Sequence, residues 1–165
     1  MAIFLKIVGR EIKGEGSAKG FEGAISISSF QFGAGIGVNT TMGSTTNRVA
    51  GQASLSEITL TKNLDETSPA IFSALCQGES FPKMSIHFLI AIGKDATGNN
   101  EYLTYNLENV IFSGWSQSSG GDRPSESVSL NFAKITMIYK TEVEAGKLEA
   151  KAPEVSWNIT TNATA

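Results

Sequence analysis

The stretch GGDRPSESVSLNFAKITMIYK, residues 120–140, decides the fold. Val128, Leu130 and Phe132 alternate with Ser127, Ser129 and Asn131, the period of two that a half-buried β-strand requires. The Gly-Gly-Asp opening reads as a turn, so a strand is expected over 125–140. Its apolar face belongs to a core. Its other face is unusual: a strand turned to open solvent ordinarily carries Lys and Glu, and this one carries Ser, Ser and Asn.

The same thinness of charge holds for the whole chain. Of 165 residues, 18% are charged and 41% hydrophobic, against roughly 25% charged in an average globular chain. Ser and Thr together make up 33 residues, and Gly another 17. Few charges with many small polar groups suit a protein whose outside is covered by other protein surfaces. They suit a monomeric Ser/Thr-rich β-protein equally well. The length fits one domain, 1–165, with a real core.

A net charge of −3 with no Lys/Arg cluster argues against a nucleic-acid partner, which needs a basic stripe. No apolar run approaches the roughly 20 residues of a membrane span. The opening MAIFLKIVGREIKG alternates, carries Lys6 and lacks a small-residue cleavage site, so it reads as a first strand and not as a signal peptide. Cys76 is the one cysteine, so no internal disulfide forms and nothing points to an oxidising compartment.

Working outward from residues 120–140, further strands are expected at 2–9, 24–35, 53–62, 83–92, 101–115 and 155–160. In 24–35 the apolar phase slips by one between Ile25/Ile27 and Phe30/Phe32, which predicts a β-bulge near Ser28-Ser29. KMSIHFLIAI (83–92) is apolar on both faces and predicts a cover on each side, one of them a helix. The single helical pattern lies at about 68–77, with Ser68 as N-cap, Pro69 at the first helical position and Gly78 as the stop. Ile71, Phe72, Leu75 and Cys76 form its expected buried stripe. Residues 33–52 show no pattern and predict a long extended loop that would need a neighbouring surface to be ordered.

Catalytic chemistry finds no foothold. His87 is the only histidine and sits mid-strand among apolar neighbours, as a partly buried core histidine would. Cys76 has no activating His or Asp at a useful spacing, so a packed thiol is expected. GAGIGV resembles a phosphate loop, but no helix and no Gly-Lys-Ser/Thr follow it. Glu101, Glu108, Asp122 and Glu126 are scattered near turns and make no glycosidase pair. Neither an enzyme, a metal nor a cofactor is expected.

These segments, in this order, resemble the haemolysin-coregulated protein (Hcp) family, the tube subunit of the bacterial type VI secretion system. The likeness is carried by IFLKIVGREIKGEG, TSPAIFSALCQGESFPK, EYLTYNLENVIFSGW, GGDRPSESVSLNFAKITMIYK and SWNITTNATA. The resemblance implies a small β-barrel of two antiparallel sheets with one flanking helix. It implies six copies closing into a ring and rings stacking into a hollow tube. The implied partners are further copies of itself, a spike protein at the tube tip, a contractile sheath, and effector proteins carried in the lumen. Export would start from the bacterial cytoplasm through the type VI apparatus, without a cleaved signal peptide. On this basis Ser29 and Gln31 are candidate lumen residues, and Ser127, Ser129 and Asn131 candidate subunit contacts. Asn39, Thr40, Thr41, Thr45, Thr46 and Asn47 are candidates for ring stacking. Uncharged polar groups hydrogen-bond to water or to a neighbour without the desolvation cost of a buried charge. The alternative is a monomeric β-sandwich module that binds a carbohydrate or protein ligand.

Overall fold

Among the described residues, strand follows strand from Ala2 to Thr164, interrupted by one helix. The computed structural model describes residues 1–10, 12–40, 48–90, 100–144, 147–150 and 152–164. In chain order the elements are β1 (Ala2–Val8), β2 (Ile25–Ile27), β3 (Ser29–Gln31), β4 (Ala34–Thr40), β5 (Arg48–Leu55) and β6 (Ile58–Asn63). Then come α1 (Ser68–Gln77), β7 (Ser80–Ile90), β8 (Asn100–Ser118), β9 (Ser125–Asn131) and β10 (Lys134–Tyr139). Two short hairpin strands, β11 (Thr141–Glu144) and β12 (Lys147–Glu149), precede β13 (Val155–Asn158) and β14 (Ala163–Thr164). The fold is mainly β and antiparallel, with a single helix among the described residues.

The long strand β8 organises the rest. Its 19 residues pair with β7 over much of their length. On the opposite edge, Leu103–Glu108 pair with β10 and Ile111–Ser118 with β9. One branch therefore runs β8–β9–β6–β3, and the other runs β8–β10–β13–β14, while β7 leads to β1 and β2. The two sheets enclose one apolar core, which includes Leu5, Ile25, Ile58, Leu60, Met84, Ile86, Leu107, Val128 and Leu130.

Several expectations are corrected. The run 125–140 is two strands, broken at Phe132–Ala133, because its halves pair with different partners across β8. The run 53–62 likewise breaks at Ser56–Glu57. At Ser28 the chain changes partner instead of bulging within one ladder. β2 pairs with β1, β3 pairs with β6, and the Ser28 N–H donates to the Thr61 carbonyl at 2.7 Å. The phase slip in the sequence is this change of partner. Because no ladder joins β2 to β3, the sheets do not close into the expected barrel. The supposedly patternless loop contains the β4–β5 hairpin, with residues 41–47 outside the described residues.

The helix keeps its place but turns a different face inward. Its N-cap is Thr67, one residue earlier than expected, and Ser68 is already helical. Gly78 closes the helix in the left-handed region (φ 63), where its N–H and that of Glu79 meet Leu75 and Ala74 carbonyls. Ser68, Ile71 and Ala74 are buried, whereas Phe72 is 48% exposed and Cys76 is exposed. The expected stripe was rotated toward its flank, so Cys76 is not a packed thiol. Nor does the helix cover β7; it lies against β8, with Phe72 5.2 Å from the Trp115 ring. The outer face of β7 is covered instead by the loop after β1, through a small cluster of Phe4, Phe21, Ala24 and Leu89.

Candidate functional site, an uncharged sheet face

The alternation that makes β9 a strand recurs on its neighbour β6. Ile58 and Leu60 point into the core beside Leu130 and Val128, which leaves Thr59 and Thr61 on the other face. Strand register then aligns that face across four strands. Ser29 (β3) stands opposite Thr61, Thr61 opposite Ser127, and Ser127 opposite Ser116 on β8. In the next row Gln31, Thr59, Ser129 and Gly114 are aligned in the same way. A third row holds Asn63, Ser125 and Ser118. None of these side chains is ionisable. Ser29 and Gln31 are exposed, and Thr59, Thr61, Ser127 and Ser129 are half-buried. At Gly114 the strands approach closely: an added Cβ would lie 3.2 Å from Ser129 Oγ, which would have to shift by a few tenths of an ångström.

Ser29, Gln31, Ser127 and Ser129 thus share a single sheet face, and Asn131 lies exposed at the end of the same face, opposite Ile111. Sequence reading had divided them between two roles. It also missed Thr59, Thr61 and Ser116, although the alternation in ITLTK matches that in SVSLN. Asn39 and Thr40 end β4, and the remaining stacking candidates, Thr41, Thr45, Thr46 and Asn47, lie outside the described residues.

The charges of β6 and β9 are turned inward. Lys62 and Glu126 are register partners on the core side, and both are buried. Lys62 Nζ donates to Glu126 Oε2 (3.0 Å), Asp65 Oδ1 (2.8 Å) and Ser68 Oγ (3.0 Å). Ser68 Oγ in turn donates to Glu126 Oε2 at 2.8 Å. The Asp65 carboxyl is pushed up by burial, but hydrogen bonds from Lys62 and Thr67 outweigh this and hold it below its ordinary value. This knot ties the first turn of the helix to β6 and β9. Thr67 makes no side-chain cap hydrogen bond, so the helix start is fixed by this buried charge network.

His87 is half-buried, as expected, but it is not inert. Its Nδ1 lies 2.8 Å from Glu101 Oε1 and its Nε2 2.8 Å from Ser85 Oγ, with the Phe21 ring edge-on at 5.1 Å. Thr104 Oγ1 also donates to Glu101, and Lys140 Nζ stands 3.8 Å away. The His87 hydrogen bond, reinforced by Thr104, holds the Glu101 carboxyl down at about 2. This cluster pins β7, β8 and the end of β10 together. Among the described residues, no group of three His, Cys, Asp or Glu is placed to hold a metal ion. No helix there is long and apolar enough to cross a membrane.

The family model for the type VI secretion system effector Hcp matches residues 4–139. The chain belongs to this family. Protein hcp1 of Pseudomonas aeruginosa is 28% identical over 113 residues, 67% of this chain and 68% of that protein. A solved type six secretion system protein superposes with a TM-score of 0.88 at 25% identity, covering 99% of both chains. Hcp1 from Salmonella typhimurium has a TM-score of 0.76 at 22% identity, over 99% of this chain and 98% of that one, a likeness of fold. As a member of the Hcp family, the chain is a structural tube protein of the type VI secretion system and not an enzyme.

Proposed function

We propose that six copies of this chain close into a ring, that rings stack into a hollow tube, and that the β3–β6–β9–β8 face forms the tube's inner wall. Effector proteins would travel against that wall, beneath a spike protein and inside a contractile sheath. The tube would leave the bacterial cytoplasm through the type VI apparatus without a cleaved signal peptide. The observation that supports this best is the segregation of charge: two rows of uncharged residues face outward across four strands and a third across three, while Lys62 and Glu126 of β6 and β9 pair inward. A wall that must let varied proteins pass gains from hydroxyls and amides, which exchange water for cargo at little desolvation cost. It also gains from lacking charges, which would trap oppositely charged cargo and repel the rest.

On this reading Ser127, Ser129 and Asn131 belong to the inner wall together with Ser29 and Gln31, and the subunit contacts lie elsewhere. Negative-stain images of the pure protein should show rings with a central hole. Gln31→Arg should leave those rings intact and reduce retention of a co-produced effector. A protein that stays monomeric at every concentration contradicts the ring, and rings that fall apart in the Gln31→Arg variant contradict the wall.

A further inference from the structure

The cluster around His87 is more ordered than a clamp between strands requires. Ser85 and His87 stand at alternate positions of β7 and face away from the core, to which Met84, Ile86 and Phe88 belong. Between β7 and β8 the register slips, with Phe88 opposite Leu103 and Leu89 opposite Glu101. That irregularity brings Glu101 round to the side of Thr104, next to His87. Ser85 Oγ then lies 2.8 Å from His87 Nε2, and His87 Nδ1 lies 2.8 Å from Glu101 Oε1. All three side chains are half-buried, so none is sealed from solvent.

The roles follow from which group holds which proton. Glu101, held down at about 2, is ionised at neutral pH and accepts the Nδ1–H. Thr104 Oγ1 donates to the same carboxylate, which keeps it in place. Nε2 is left as a bare acceptor, and the Ser85 hydroxyl donates to it. A hydroxyl aimed at a base whose other nitrogen is fixed by a carboxylate has the arrangement of an activated nucleophile. Holding the ring still would need only the bond to Glu101.

We propose that Ser85 is a modification site that accepts an acyl group from an activated ester. Ser85 Oγ attacks the acyl carbon while its proton passes to His87 Nε2. The bond from that carbon to the leaving oxygen breaks, His87 returns the proton to the departing oxygen, and Ser85 keeps the acyl group as an ester. Glu101 is a positioning residue that acts through His87. The surroundings say why the reaction stops there. β7 is an interior strand, and around Ser85 and His87 its backbone is committed to ladders with β1 and β8. Lys6, the partner of Ser85 on β1, spends its Nζ on the Gly20 carbonyl at 2.8 Å. No N–H of β7 is left for an oxyanion hole, so only a strongly activated donor reacts and the ester is slow to leave. A chain modified once in this way is not an enzyme, in keeping with a structural tube protein.

Treatment of the purified protein with p-nitrophenyl acetate tests this, read by nitrophenol release and by peptide mass spectrometry. The wild type should release a burst of nitrophenol and carry the acetyl ester on Ser85, at least tenfold faster than on the exposed Ser119. Ser85→Ala should abolish the burst, and His87→Gln should cut acetylation of Ser85 at least tenfold. Glu101→Gln should cut it several-fold, and Glu101→Asp should restore much of the loss. Acetylation of the exposed Lys83 on the same strand should stay unchanged in every variant, which separates lost activation from altered folding. Ser85 left unmodified in the wild type, or acetylated equally with and without His87, overturns the proposal. So does continuous turnover with no ester on Ser85. If the variants fail to fold, the wild-type map alone decides: parity between Ser85 and Ser119 overturns the site.

Discussion

Glu101 carries the pH dependence that can be read at a single residue. Its folded value of about 2 lies below the ordinary 4.5, so the stabilisation is complete above about 4.5 and is lost as pH falls through 2. A shift of that size converts to about 3 kcal/mol, and solvent screening of a partly exposed pair cuts it to about 1–2 kcal/mol. Glu101→Gln should therefore cost about 1–2 kcal/mol at pH 7 in urea unfolding, with the gap to wild type closing as pH drops from 4.5 to 2. A gap that does not change with pH would assign the stability to packing. The Lys62–Glu126 pair behaves differently because neither group reaches water. Lys62→Met alone leaves Glu126 buried without its cation and should cost about 3–5 kcal/mol. The double variant Lys62→Met/Glu126→Leu should recover most of that loss in the same assay. If the double variant is no better than the single, the knot acts through shape and not through charge.

At the scale of the element, the helix separates what sequence can state from what it cannot. Pro69 and Gly78 mark its limits by local backbone chemistry: Gly78 closes the helix where it was expected, and Pro69 stands at the second helical position instead of the first. Which face it buries depends on its neighbour: Ser68 turns inward because Lys62 and Glu126 wait there, and so Ile71 and Ala74 go down while Cys76 comes up. Ile71→Ala should cost about 2–5 kcal/mol in thermal or urea unfolding. Phe72→Ala should cost about 1 kcal/mol, since the ring is already half in water. Equal costs would put the expected stripe back. The same division runs through the strands. Alternation in ITLTKN and SESVSLN announced the uncharged face, but its four-strand continuity depends on register, which no single stretch encodes. The strand break at Phe132 was hidden because Phe132 and Ala133 are themselves apolar while the partner changes, and the break at Ser56 because only two residues separate β5 from β6. For the arm, replacing residues 39–48 with a short Gly-Ser turn should leave the subunit folded and weaken ring stacking. Unchanged tube length in electron micrographs would free those residues of that role.

For the whole molecule, β8 joins two branches: its C-terminal half pairs with β9 and carries the uncharged face, and its N-terminal half pairs with β10. If the uncharged face is the proposed inner wall, cargo held against it should stay bound as ionic strength rises, whereas a charged wall would lose its attraction to screening. Effector that washes from purified rings in proportion to added salt would contradict a neutral wall. The arrangement is geometric, and a cryo-electron reconstruction of the purified ring at side-chain resolution decides it. Gln31, Thr59, Thr61, Ser127 and Ser129 should stand around the central hole. A ring whose hole is lined by β10 and β13, or whose Ser127 and Ser129 are sealed between subunits, would contradict it.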